Sequence, residues 1–337
     1  MREMTFSQAI EDALTQAMKE DQRVVVFGED VHALRMNLYT RFGEKRVRPA
    51  PISESAFLGT AVGAAMAGLR PFVELILIDF LAVAADAIIN QAAKVEAFSG
   101  GRWKVPMVVR AGCGGGYGDG GQHEQSLWGW IAHIPGLKVV VPSTPADAGG
   151  LLLAAIADES PVFFLEPKLL TDDLLEVLGS GGRTTVTYDI PTGGRSGPVP
   201  ERWEPLALGR AAVRREGTDI TIAGAGIAIH RATEAADLLS GEGISASVID
   251  LRSIAPLDRD AVLKDVESTG RLLVVDDDYR DFGLTGELAA AVLESGLPAR
   301  FARIAVEGTI PFDPKREQKV LPNVERIYEA ARRLMER

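Results

Sequence analysis

Cysteine is nearly missing from this chain of 337 residues, with Cys113 the only one. One thiol cannot close an intrachain disulfide, and cysteine-ligated metal sites need several, so both scaffolds are excluded. No apolar run reaches the roughly 18 residues of a membrane span, and the N-terminus lacks the charged-then-apolar pattern of a signal peptide. Positive charge is in deficit, 36 Lys+Arg against 47 Asp+Glu for a net charge of −11. That balance argues against nucleic acid or an anionic membrane as the main partner. Asparagine is scarce too, confined to Asn37, Asn90 and Asn323. What is present is 46% hydrophobic residues, enough for sizeable cores in a chain long enough for two domains. The expectation is a cytoplasmic enzyme.

Strand-like apolar runs alternate with helical patterns. Arg23–Phe27, Phe72–Leu77, Val105–Arg110, Leu137–Val141 and Val162–Leu165 read as buried strands, with helices near 6–19, 55–68, 79–97, 124–132 and 145–157. A second series, Asp219–Ala223, Ser245–Asp250, Leu272–Asp276 and Arg300–Ala305, follows and closes with an amphipathic helix over Val324–Met335. Such alternation predicts α/β architecture, two doubly wound domains with largely parallel sheets. Between the series, 179–205 is rich in Gly, Pro and Ser and reads as a linker. The expected domains are therefore 1–178 and 206–337.

The most informative stretch runs from Ile52 to Pro71. Glu54 stands at the start of a helix of small residues, in which Gly59, Gly63 and Ala67 fall at i, i+4, i+8. That spacing suits close approach of another backbone. A carboxylate at so crowded a junction can be dehydrated and aimed for proton transfer; the plainer reading is a helix-start carboxylate beside a core helix. His123 follows the glycine-laden 112–121 and precedes a helix. A loop of that kind can deliver a histidine to a ligand, although a structural histidine fits as well. His32, His133 and His230 read as structural. Gly224-Ala225-Gly226 after a strand lacks the third glycine of a dinucleotide fingerprint and reads as a tight turn.

Three segments in order, Glu54 to Pro71, Gln122-His123-Glu124-Gln125-Ser126 and Ile134-Pro135-Gly136-Leu137-Lys138-Val139-Val140-Val141-Pro142, closely resemble the β subunits of thiamine-diphosphate-dependent 2-oxo acid dehydrogenases. The resemblance begins at Met4-Thr5-Phe6-Ser7-Gln8-Ala9-Ile10 and runs nearly end to end. It implies a pyrimidine-binding domain followed by a transketolase C-terminal-like domain. It also implies an α subunit in an α2β2 heterotetramer, a lipoyl acyltransferase core as acyl acceptor, and a 2-oxo acid substrate. Glu54 would hydrogen-bond the cofactor's pyrimidine and assist removal of the thiazolium C2 proton, and Phe80 would stack on the aminopyrimidine. His123 would face substrate and the lipoyl arm, with Glu29 standing behind Glu54.

The family's diphosphate is held through Mg²⁺ by Gly-Asp-Gly with an asparagine about 25–30 residues later, and oxygen ligands suit that hard cation. Gly118-Asp119-Gly120 has no such asparagine after it, so it reads as a turn and the Mg²⁺ ligands are expected on the α subunit. Related β subunits hold K⁺ through backbone carbonyls, and the matching positions here are Met107, Ala155, Ile156, Asp158 and Ser160. Val83 stands where pyruvate-type β subunits often carry glutamine, the loop from His32 to Gly43 looks short, and 307–314 departs from the usual ending, so the substrate stays open. The rival enzyme reading is a split transketolase-like subunit that takes a ketol unit from a ketose phosphate. A scaffolding or electron-transfer-flavoprotein-like subunit would not need Glu54, Phe80 and His123 together.

Overall fold

All five apolar runs of the N-terminal half become neighbours in one seven-stranded sheet of the computed structural model, which describes residues 1–171 and 189–336. In spatial order the strands are Ser253–Ala255, Lys138–Val140, Val162–Pro167, Val108–Cys113, Arg70–Leu77, Val24–Glu29 and Val47–Ala50. Every pairing is parallel except that of Ser253–Ala255, which runs antiparallel to Lys138–Val140. Valine-rich strands covered on both faces are what a parallel sheet requires. The Phe6–Glu20 helix starts at a capping box, with the Thr5 hydroxyl accepting from Gln8 N–H and the Gln8 side chain accepting from Thr5 N–H. Its apolar stripe, including Phe6, Ile10 and Leu14, packs against the Pro145–Ala157 helix.

The second sheet has the order Arg300–Val306, Arg271–Tyr279, Ile220–Gly224, Ala246–Asp250 and Ala212–Arg215, parallel but for the last strand. The Val324–Glu336 helix buries Ile327, Ala330, Ala331 and Leu334 and packs on the Ile227–Gly241 helix. One core runs through both halves: Val139 and Leu165 of the first sheet belong to the same buried cluster as Ile249 and Val274 of the second.

Several segments differ from the sequence expectation. The stretch near 79–97 is not one helix but a 3₁₀ segment Ile78–Ala84, a π-helical segment Asp86–Ala92 and one α turn Val95–Phe98. The helix expected over 124–132 begins only at Trp128, because Glu124, Gln125 and Ser126 are tied to other elements. His32 to Gly43 is not a loop; it holds the short helices Val31–Leu34 and Met36–Phe42. The strand expected over Val105–Arg110 starts at Val108, past Pro106, which has no N–H to give a ladder. Within 179–205, Ser196–Val199 pairs antiparallel with Arg2–Thr5, while 179–188 lies outside the described residues. The small-residue face of the Glu54–Met66 helix is not a packing face within this chain. A Cβ added at Gly59 or Gly63 would meet nothing within 4 Å, and Ala67 is exposed.

Candidate active site

Parallel sheets present ligand sites beyond the carboxyl ends of their strands, where the chain reverses its winding direction. Here the chain steps from Val24–Glu29 to the edge strand Val47–Ala50, then returns to the other side with Arg70–Leu77. Glu29 ends the first of these strands. Glu54 follows the second by four residues, Phe80 follows the third by three, and His123 lies on the loop after Val108–Cys113. Four residues singled out from the sequence thus come to one edge of one sheet, on four adjacent strands.

Glu54 is the first residue of its helix and is 8% exposed. Its carboxylate accepts no hydrogen bond from the described residues, so its bonding capacity is unspent, and the helix N-terminus favours its charge. The Ser53 hydroxyl turns back to donate to the Pro51 carbonyl at 3.0 Å and does not cap the helix. Burial, and then the negative charges of Asp30 and Glu54, push the Glu29 carboxyl above the usual range. Glu29 and Glu54 are therefore electrostatic neighbours, as a shared proton-handling edge requires. The Ser55 hydroxyl donates to the Val83 carbonyl, tying the Glu54 helix to the segment that carries Phe80.

Phe80 and His123 meet edge to face, with ring centroids 5.7 Å apart and planes at 89°. Both are half-buried. The side chains that fix them were not among those read from the sequence. Asp79 Oδ1 accepts from Gln125 N–H at 3.2 Å and from Gln125 Nε2 at 2.9 Å, which clamps the Phe80 segment to the His123 loop. The Tyr279 hydroxyl donates to Gln125 Oε1 at 3.0 Å. Lys168, 1% exposed, donates from Nζ to the His123 carbonyl at 2.5 Å. Asp278 accepts from Leu127 N–H at 3.2 Å and from Gly129 N–H at 2.8 Å, so the C-terminal half holds the far end of the loop.

Beneath this edge lies a buried ion network. Arg110 donates from Nε to Glu166 at 2.6 Å and from Nη1 to Glu74 at 3.2 Å, and Arg35 Nε donates to Glu74 at 2.5 Å. Burial alone pushes Glu74 up, but the Arg35 and Arg110 guanidinium groups outweigh it and hold its carboxyl below the usual range. Charged residues inside valine-rich strands were the sequence signal for this network. The other histidines stay structural: His230 Nε2 donates to the Ser143 carbonyl at 2.6 Å, and burial lowers its basicity. His32 stacks edge-on with Tyr39, and His133 ends the Trp128–Ala132 helix.

The residues fit the aminopyrimidine end of thiamine diphosphate, with an unpartnered carboxylate beside a half-buried aromatic face. No group of three or more His, Cys, Asp or Glu among the described residues is placed to hold a metal ion. Gly118-Asp119-Gly120 is a turn leading into a single 3₁₀ turn over Gly120–Gln122. Of the carbonyls matched to a K⁺ site, those of Ile156 and Asp158 accept from Arg70 Nη1 at 2.9 and 3.0 Å. Met107 and Ala155 each accept one backbone N–H, and Ser160 N–H donates to Asp158 Oδ1. A second carbonyl lone pair remains on each acceptor, so the set is compatible with a cation without defining one.

Sheet order and site position define a transketolase-like α/β protein. Residues 2–172 match the family model "Transketolase, pyrimidine binding domain" and residues 209–327 match "Transketolase, C-terminal domain". The fold resembles that of a solved "Split gene transketolase, inactive beta4 tetramer" with a TM-score of 0.77, 23% identity and 99% of each chain covered. Among curated proteins, the chain is 38% identical to the acetoin:2,6-dichlorophenolindophenol oxidoreductase subunit beta of Bacillus subtilis, over 99% of this chain and 98% of the relative. It is also 38% identical to the pyruvate dehydrogenase E1 component subunit beta and to the 2-oxoisovalerate dehydrogenase subunit beta of the same organism, each over 100% of both chains. The chain belongs to the family of β subunits of thiamine-diphosphate-dependent 2-oxo acid dehydrogenases, and it is an oxidoreductase subunit.

Proposed function

We propose that this chain supplies the pyrimidine side of a thiamine-diphosphate site completed by an α subunit, and that the α2β2 enzyme decarboxylates a 2-oxo acid oxidatively with acyl transfer to a lipoyl group. The observation that carries the reading is the convergence of Glu29, Glu54, Phe80 and His123 on the carboxyl edge of four adjacent strands. Bound thiamine diphosphate supplies an electron sink for the electrons released with CO₂. The protein's own part is to place and protonate. Glu54 holds a proton against a pyrimidine ring nitrogen, Phe80 offers its face to the ring, and Glu29 stands behind Glu54 at that edge. His123 moves a proton on the substrate side. The diphosphate end and its Mg²⁺ fall to the α subunit, and K⁺ at the carbonyls of Met107, Ala155, Ile156, Asp158 and Ser160 would bind at the opposite, amino-terminal edge of the same sheet.

No helix among the described residues is long and apolar enough to cross a membrane, and we place the enzyme in the cytoplasm. The test is turnover of the co-purified α–β pair with a panel of 2-oxo acids and a lipoyl-domain acceptor, run beside a ketose phosphate with an aldose acceptor. Turnover only with the ketose phosphate would replace this reading with ketol transfer.

A further inference from the structure

Two carboxyl groups from distant parts of the chain meet beneath the His123 loop. Glu124 is 0% exposed and Glu317, on the Pro314–Val320 helix, is 2% exposed. Glu317 accepts from Gly116 N–H at 2.5 Å through Oε1 and from Gly118 N–H at 2.9 Å through Oε2, so both its oxygens are occupied as an anion's would be. Glu124 is different. Its Oε1 accepts from Tyr117 N–H at 2.6 Å, whereas no described donor reaches Oε2. The Glu317 carboxyl lies within hydrogen-bonding reach of the Glu124 carboxyl. Two carboxyl groups this close repel unless a proton sits between them.

The surrounding charge sets the number of protons. Lys168, from the segment after the Val162–Pro167 strand, faces the pair with its charge, the Asp119 backbone N–H donates to the Glu124 carboxyl, and the Asp119 carboxylate faces Lys168. Asp79 faces Lys168 from the Phe80 segment. Lys168 lies over the Tyr117 ring, with Nζ 4.8 Å from its centroid. Burial disfavours two adjacent carboxylates, and a single proton shared by the pair leaves it one negative charge instead of two beside Lys168.

We propose that Glu124 and Glu317 share one proton, carried on Glu124 Oε2, and together act as positioning residues that hold the His123 loop against the C-terminal helix. Loss of that proton sets two carboxylates against each other and releases Gly116, Gly118 and the loop. Burial, followed by the contact with Glu317, pushes the Glu124 carboxyl up to about 8, which puts release just above neutrality. This inference rests on the reading of His123 as the working histidine, and the experiment separates the two.

Amide hydrogen exchange at Gly116 and Gly118 is measured from pH 7 to 9.5 in the α–β complex, with intrinsic exchange factored out. The same samples give kcat and KM. In the wild type, protection falls about tenfold per pH unit above the transition, as one-proton linkage requires, and kcat falls with it while KM changes little. Glu124→Gln has the shape of the protonated acid and donates an amide N–H to Glu317, so it keeps neutral-pH activity and flattens both profiles. Glu317→Gln removes the anion and lowers protection at every pH. An equal loss of protection in wild type and Glu124→Gln overturns the proposal. Difference infrared spectra of the wild type between pH 7 and 9 need no variant: loss of one protonated-carboxyl band supports the pair, and its absence overturns it. Protection that changes as described while kcat does not would leave the pair standing and refute the role of His123.

Discussion

Arg110 is the residue whose removal should cost the fold most for the fewest atoms. It is the only described partner of Glu166 and one of two guanidinium partners of Glu74. Arg110→Met keeps the length and packing of the side chain but leaves Glu166, 1% exposed, as a buried carboxylate without its hydrogen-bonded counter-charge. Breaking a buried pair from one side costs about 3–5 kcal/mol, chiefly through the unpaired charge left behind. At roughly 2–4 °C per kcal/mol, the melting temperature should fall by about 10 °C. Replacing both partners, as Arg110→Met with Glu166→Met, removes both charges and should recover most of the loss. The acid side changes as well. Glu74 is held below its ordinary value, so its contribution is present above about pH 4.5, its unfolded value, and disappears as pH falls through the lower folded value. Without Arg110 that acid-dependent contribution shrinks. Denaturant unfolding of the three proteins at pH 5 and 7.5 is the assay. A single-variant loss under about 1 kcal/mol, or a double variant no better than the single, would refute the reasoning.

Gly28→Ala should cost at least about 3 kcal/mol, because its φ of +146° admits a side chain poorly and a Cβ would lie 2.3 Å from the Glu74 carbonyl oxygen; chemical denaturation checks it. Thr5→Ala removes the capping box of the first helix and should lower stability by about 1 kcal/mol without altering kcat. Phe80→Ala should weaken thiamine diphosphate binding to the α–β pair by about tenfold, equivalent to about 1.4 kcal/mol of lost ring contact, while Phe80→Leu should lose less; calorimetric titration reads both. Glu124 has its carboxyl raised from 4.5 to about 8, so its stabilising proton is fully bound in both states below pH 4.5 and its contribution falls by about 1.4 kcal/mol per unit until pH 8. Glu124→Gln should remove that slope in unfolding curves recorded between those limits.

The sequence made the strands of both sheets legible because each is a short run of β-branched and aliphatic residues with no competing pattern. Glu54 stood out as the carboxylate opening a small-residue helix and His123 as the histidine after a glycine-rich loop, while Phe80 was singled out only by the family resemblance. Three of the four edge strands of the two large sheets escaped notice: Val47–Ala50 contains Pro49 and Arg48, Ala212–Arg215 carries two arginines, and Ser253–Ala255 is three residues that join a sheet formed more than a hundred positions earlier. Pairing over that separation leaves no local periodicity to read. The side chains that orient the site were equally hidden. Asp79, Lys168, Asp278 and Glu317 act through partners 46, 45, 151 and 201 residues away, and a charged residue gives no sign in sequence of which distant amide it will meet. The small-residue face of the Glu54 helix was legible as a pattern but not as a place: its glycines face outward from this chain.

In the site proposed above, Glu54 handles the proton that activates the cofactor. Glu54→Gln preserves size and burial but cannot exchange a proton with the pyrimidine, and acid–base contributions of this kind are worth roughly 10²–10⁴-fold. The most direct measurement is hydrogen–deuterium exchange at thiamine diphosphate C2 in the reconstituted α–β complex. Exchange in Glu54→Gln should slow by roughly 10²-fold or more, with cofactor affinity only modestly reduced, since the proposed function assigns the diphosphate to the other subunit. Exchange at the wild-type rate would make Glu54 no more than a helix-start carboxylate and would contradict the site as described.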